Sequence, residues 1–105
     1  MKRSKYGSIK TEIDGFVFDS RKEAARYQEL KFLEMAGEIA YLTLQPVYHC
    51  SVNGVKICDY RADFEYTTTK DMMRHVEDVK GYKTDVYKLK KKLVEAIYKI
   101  KIEEV

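Results

Sequence analysis

The sequence predicts an α/β fold, an α+β arrangement with a mixed sheet and the order helix, three strands, helix, strand. Three observations carry this. A capped helix comes early in the chain. A long stretch of β-formers turns back on itself at Asn53-Gly54. A lysine-rich helix then separates two short apolar strands.

Each element has a local reason. Residues 1–10, MKRSKYGSIK, carry Lys2, Arg3, Lys5 and Lys10 without an apolar run, and read as a flexible basic arm before one domain over 11–105. GFVF (15–18) suits a short strand or a turn at the domain edge. DSRKEAARYQELKFLEMAGE (19–38) reads as a helix. Ser20 followed three residues later by Glu23 matches a capping box. Gly37 suits the left-handed position just past a helix end. The apolar residues cover a wide arc, as in a helix contacted on more than one side.

Residues 40–52 are rich in β-formers, Asn53-Gly54 is a strong hairpin signal, and 55–66 returns as the partner strand. An unbroken register from a two-residue turn sets Cys50 opposite Ile57, Cys58 opposite His49, and Gln45 opposite Ala62. On that register the two thiols point to opposite faces and no bridge joins them. His49 with Cys58 falls short of the four ligands of a zinc site. Residues 67–71 form a polar turn, 72–80 a third strand, and Gly81 punctuates it. From Thr84 to about Lys99, Val86, Leu89, Leu93, Ala96, Ile97 and Ile100 recur at three- and four-residue steps, with lysines on the other face. IKIEEV (100–105) is the last strand. Strand, helix, strand in that order implies a right-handed parallel crossover, hence a mixed four-stranded sheet flanked by helices.

Bulk properties narrow the function classes. A chain of 105 residues, 45% apolar and 35% charged, fits one folded domain. No apolar run approaches the ~20 residues of a membrane span, and the start lacks a secretory h-region. A cytoplasmic protein with no membrane partner is expected. Two cysteines make no disulfide framework. The net charge of +3 is mild. Its distribution says more, because Lys83, Lys88, Lys90, Lys91 and Lys92 cluster near one end of the chain. Such clustering suits a polyanion, although a solvated helix face has the same composition.

The segment VEDVKG (76–81) carries the chemistry. Side chains alternate along a strand, so Asp78 and Lys80 share a face with Val79 on the other. Glu29-Leu30-Lys31 has the same pattern but lies mid-helix, where residues two apart do not share a face. Asp63, in YRADFEY, either belongs to a solvated face with Arg61 and Glu65 or, if its strand neighbours that of Asp78, comes within metal-bridging distance of it. Two carboxylates brought together repel, and a hard divalent cation relieves them. Glu23 is explained by capping alone, yet Tyr27 and Leu30 follow on its helical face and set it beside an inward surface. Histidines 49 and 75 lack a nucleophile-triad context, and His75 reads as structural.

A helix bearing Glu23, a strand bearing Asp63, a strand bearing Asp78-Val79-Lys80 and a basic helix resemble the PD-(D/E)xK nuclease superfamily. DSRKEAARYQELKFLEMAGEIAYLTLQP, ADFEY and VEDVKGYKT are similar to small phage and prophage proteins of that group. They also resemble phage Holliday junction resolvases and a transposon end-cleaving endonuclease. The resemblance spans residues 6–105 and implies a restriction-endonuclease-like αβββαβ core. Ala62 stands where the family usually has proline before the aspartate, a departure that costs no ligand.

By position, the resemblance implies that Asp63 and Asp78 bind Mg²⁺ or Mn²⁺ with the Val79 carbonyl. It implies that Lys80 orients or deprotonates the attacking water, and that Glu23 serves a second ion or a metal-bound water. Glu77 faces away from Asp78, and Gln45 occupies an often polar position whose role depends on a bulge. Lys83, Lys88, Lys91 and Lys92 are candidate phosphate contacts along DNA. The implied activity is a metal-dependent endodeoxyribonuclease, structure-selective or nonspecific, phage-derived and working in a bacterial host cell in DNA recombination, repair or packaging. A homodimer is the assembly that suits an enzyme acting on two strands. The alternative is a non-catalytic nucleic-acid-binding module on the same fold, which uses the lysines and needs no acids.

Overall fold

A computed structural model describes residues 10–79 and 83–105. The basic arm, apart from Lys10, and the segment Lys80 to Tyr82 lie outside the described residues. Lys10 pairs with Asp19 at 3.2 Å on the surface.

The first elements among the described residues are a small hairpin, β1 (Thr11–Ile13) and β2 (Phe16–Phe18), which exceeds the single edge element expected from the sequence. Helix α1 (Arg21–Met35) follows. Ser20 is its N-cap, and its hydroxyl accepts from the Glu23 backbone N–H at 3.1 Å. Gly37 sits just past the C-cap at φ 78°, the left-handed conformation its sequence position implies. The helix buries Glu23, Ala24, Tyr27 and Leu30. Phe32 and Met35 remain 75% and 82% exposed, so contact from more than one side is not realised.

The two long strands expected at 40–52 and 55–66 are each divided. The segments are β3 (Ile39–Leu44), β4 (Val47–Val52), β5 (Val55–Arg61) and β6 (Phe64–Thr68). The break has a local cause. Gln45 adopts a left-handed φ of 52°, and Pro46 has no N–H to give to a ladder. The pairing continues through the bend, with the Gln45 N–H donating to the Asp63 carbonyl and the Ala62 N–H to the Pro46 carbonyl. Beyond it, β4 and β5 form a separate ribbon closed by Asn53 and Gly54, both at positive φ as a type I′ turn requires.

That ribbon contains a bulge. Cys50 pairs with Cys58, whereas Ser51 pairs with Lys56, which leaves Ile57 as the extra residue. The bulge displaces every pairing below it by one position. Cys50 therefore faces Cys58 and not Ile57, His49 faces Asp59 and not Cys58, and Gln45 bonds across to Asp63 and not Ala62.

The main sheet has the order β3-β6-β7-β8, with β7 (Met73–Asp78) and β8 (Ile102–Glu104) as its last two strands. β3, β6 and β7 are antiparallel, and β7 and β8 are parallel across helix α2 (Asp85–Tyr98). The mixed four-stranded sheet with two helices is the architecture expected. Phe18, Ala24, Tyr27, Leu30, Ile39, Phe64 and Tyr66 form the core under α1. Tyr48, Cys50, Tyr60, Ala62, Val76, Tyr87, Val94 and Ile102 form a second core between the ribbon, the sheet and α2. Among the described residues no helix is long and apolar enough to cross a membrane.

Helix α2 corrects the expected apolar face. Val86 and Leu89 are 63% and 69% exposed, while Tyr87 and Val94 are buried. The buried face uses amphipathic side chains that a count of apolar residues overlooks. The Tyr87 hydroxyl reaches Glu104, the Lys90 amine reaches the Asp59 carbonyl, and the Tyr98 hydroxyl reaches the His49 carbonyl.

Candidate active site

The bend between β5 and β6 places Asp63. Its N–H donates to the Glu77 carbonyl at 3.0 Å, and its Oδ2 accepts from the Val79 N–H at 2.6 Å. The side chain is thus fixed against the end of β7. On that strand, alternation sends Val76 and Asp78 toward the α2 core and Glu77 and Val79 toward α1. Glu23 approaches from the first turn of α1. Its backbone is capped by Ser20, while its carboxyl is buried and reaches Asp63.

The carboxyls of Glu23 and Asp78 both lie close enough to Asp63 to shift its titration. Burial, followed by the contact with Glu23, pushes its carboxyl up to about 6, against the opposing influence of the Val79 N–H and Asp78. Three acids from a helix, a bend and a strand therefore form a row, Glu23, Asp63, Asp78, in which Asp63 is the middle member. Asp78 is fully buried, and the Tyr60 hydroxyl donates to its Oδ2. Burial, then this bond, raises the Tyr60 phenol well above its ordinary range.

Glu77 is engaged elsewhere. Arg26 of α1 grips it with two bonds, Nε to Oε1 at 2.8 Å and Nη2 to Oε2 at 2.5 Å, and the Tyr66 hydroxyl donates to Oε2. The hydrogen bond to Glu77 drives the Arg26 guanidinium still further above its usual range. This is a buried structural ion pair on the face opposite Asp78.

The candidate phosphate contacts fall into two groups. Lys83 and Lys91 point to Glu104, at 3.0 and 3.4 Å. With the Tyr87 hydroxyl as the main cause and Lys83 next, they hold the Glu104 carboxyl down to about 2. Lys88 and Lys92 are exposed on α2. Lys80, expected to act at the acids, lies outside the described residues. Gln45 is exposed and meets Asp63 through its backbone. His75 is held by Glu103 and Thr68 and stacked on Tyr66, in keeping with its structural reading.

The model of the family described as "Protein of unknown function (DUF1064)" matches residues 3–104. The chain belongs to that family. No curated protein and no solved structure matches it.

Two features of the site were beyond sequence reasoning. Tyr60 reaches Asp78 only because the ribbon folds over the α2 core, and no local signal marks a tyrosine for that task. Arg26 and Glu77 are 51 residues apart. The one hint was the adjacency of two acids at 77–78 on a strand, which forces one of them to find a partner on each face.

Among the described residues no three His, Cys, Asp or Glu groups stand as a ready-made ligand cage. The row has a different character. It offers hard oxygen donors, two of them buried, with a central carboxyl whose charge is disfavoured as it stands. Such a set suits a hard cation that takes one or two carboxylates and retains several waters.

Proposed function

We propose that this chain is a Mg²⁺- or Mn²⁺-dependent endodeoxyribonuclease built on a restriction-endonuclease-like core. The observation that supports this reading best is the meeting of Glu23, Asp63 and Asp78, three acids from separate elements, around the middle carboxyl. Two buried acids and a third beside them are poor design for binding a polyanion unless a cation intervenes.

In this reading Asp63, Asp78 and the Val79 carbonyl would hold the ion, and Glu23 would serve a second ion or a bound water. When bound, the ion would lower the pKa of a water and offset charge on a phosphate oxygen. The protein's own groups do the positioning. The Val79 N–H fixes the Asp63 carboxyl, and the Tyr60 hydroxyl orients Asp78. Lys80, from its position after Asp78-Val79, adds positive charge where the pentavalent phosphate forms. Lys88 and Lys92 contact the phosphate backbone without reading sequence. Lys83 and Lys91 join them when phosphate displaces Glu104. Structure-selective or nonspecific cleavage in phage-derived recombination, repair or packaging follows from the resemblance.

The test is a panel of supercoiled, linear, single-stranded and four-way-junction DNAs with Mg²⁺, Mn²⁺ or EDTA, comparing wild type with Lys80→Ala. Cleavage of at least one substrate that needs metal and Lys80 supports the proposal. A wild-type protein inert on the whole panel removes it.

A further inference from the structure

The bulge in the β4–β5 ribbon has a chemical consequence separate from the acid row. We propose that Cys50 and Cys58 form a reversible disulfide across the ribbon, a redox-sensitive site on the α2 side of the molecule.

The geometry is that of a cross-strand pair. Cys50 and Cys58 are direct antiparallel partners. Residues so paired have Cα atoms about 4.5 or 5.5 Å apart, depending on the rung, and both values fall within the ~4.4–6.8 Å span of disulfides. Direct partners share a face, so the two thiols lie on the same side of the ribbon, where Cys58 is among the groups that raise the Cys50 thiol. Both are free thiols in this structure, Cys50 buried and Cys58 half-buried. His49 and Asp59, one step along, bond to each other on the other face, which leaves the sulfurs facing one another rather than an imidazole.

The unequal burial sets the order of events. Burial raises the Cys50 thiol, and Asp59 adds to this while Lys90 opposes it. The more accessible Cys58 therefore reacts first with a small-molecule disulfide such as oxidised glutathione. Its thiolate attacks one glutathione sulfur, the S–S bond breaks, and one glutathione leaves as a thiolate that takes up a proton. Cys50 loses its proton and attacks the Cys58 sulfur, expelling the second glutathione. Two protein thiols are oxidised and one glutathione disulfide is reduced to two thiols. The closed bridge lies two residues from Tyr60, on the strand that orients Asp78.

The experiment incubates the full chain without oxygen at graded ratios of oxidised to reduced glutathione. Remaining thiols are alkylated, and intact mass is read without reductant. The expected wild-type product is a monomer lacking alkyl groups, two hydrogens lighter, that returns to two alkylatable thiols with dithiothreitol. Cys50→Ala is expected to stop at one glutathione adduct on Cys58. Cys58→Ala, which keeps only the buried thiol, should react at least about 10-fold more slowly than wild type. Wild type that keeps both thiols alkylatable at the most oxidising ratio overturns the proposal. So does wild type that ends as a stable glutathione adduct or a cross-linked dimer. The wild-type result decides the matter even if a variant fails to fold, and it is independent of any nuclease activity.

Discussion

The Tyr60 hydroxyl, carried on the β4–β5 ribbon, donates to the fully buried Asp78 carboxylate at the end of β7. The bond ties the ribbon to the acid row. It also fixes one rotamer of Asp78, as outer hydrogen bonds do for metal-ligating carboxylates. Tyr60→Phe keeps the ring in its core and removes only the donor. The expected result is a fold intact by circular dichroism with Mn²⁺ affinity weakened about 10- to 100-fold, read by calorimetry. Unchanged affinity would reduce Tyr60 to a packing role.

Asp63 sets a pH dependence of definite sign. Its folded pKa of about 6 lies above the ordinary 3.8. Between those values the folded state holds a proton that the unfolded state has lost. The associated stability is therefore complete below about pH 4 and disappears as pH rises through about 6. At about 1.4 kcal/mol per unit, the loss is on the order of 3 kcal/mol. Asp63→Asn keeps an acceptor for the Val79 N–H and cannot ionise. Urea unfolding at pH 4 and pH 8 should show a smaller fall in stability for the variant than for wild type. An equal fall in both would mean that Asp63 carries no raised pKa.

Arg26 and Glu77 give a stability test unconnected with catalysis. Removing one partner strands a charge in the core, at a cost of about 3–5 kcal/mol. Arg26→Ala should lower the urea midpoint accordingly, because Glu77 is 1% exposed and has no route to water. Arg26→Met combined with Glu77→Gln should recover part of the loss, since the buried charge is gone. A single variant within about 0.5 kcal/mol of wild type would show that Glu77 finds a partner elsewhere.

Glu104 holds in ion pairs two of the lysines proposed to contact DNA. Its carboxyl, held down to about 2, is ionised at every working pH. Glu104→Gln frees Lys83 and Lys91 from their ion pairs. It should tighten DNA binding and steepen the log–log salt dependence, while Lys88→Ala or Lys92→Ala should each flatten the slope by about one. Fluorescence anisotropy on one duplex at several salt concentrations reads both effects. Weaker binding by Glu104→Gln would indicate that this carboxylate builds the surface instead of restraining it.

What was legible in the sequence was what neighbouring residues decide. Ser20 as cap, Gly37 past the helix end and Asn53-Gly54 as the turn each depend on a few adjacent residues. Strand alternation marked Asp78, whereas Asp63 and Glu23 were joined to it through the family resemblance, since a solvated face and helix capping explain them locally. The bulge at Ile57 was not legible, since an extra residue in an otherwise regular ribbon leaves no mark in the residues beside it. One unseen residue inverted the reading of Cys50 and Cys58 and moved Gln45 opposite Asp63. The α2 face was misjudged for a different reason: tyrosine and lysine stems cover the ribbon there, and Val86 and Leu89 are left outside.

The proposed activity is phosphodiester cleavage at the acid row with a bound divalent ion. The most direct measurement is the initial rate of DNA cleavage across a Mn²⁺ titration, with wild type and Asp78→Asn purified in parallel. Wild type is expected to show saturable, EDTA-sensitive cleavage, and a folded Asp78→Asn protein at least about a 100-fold lower rate. Equal rates for the two proteins, or no cleavage by wild type at any Mn²⁺ concentration, would contradict it.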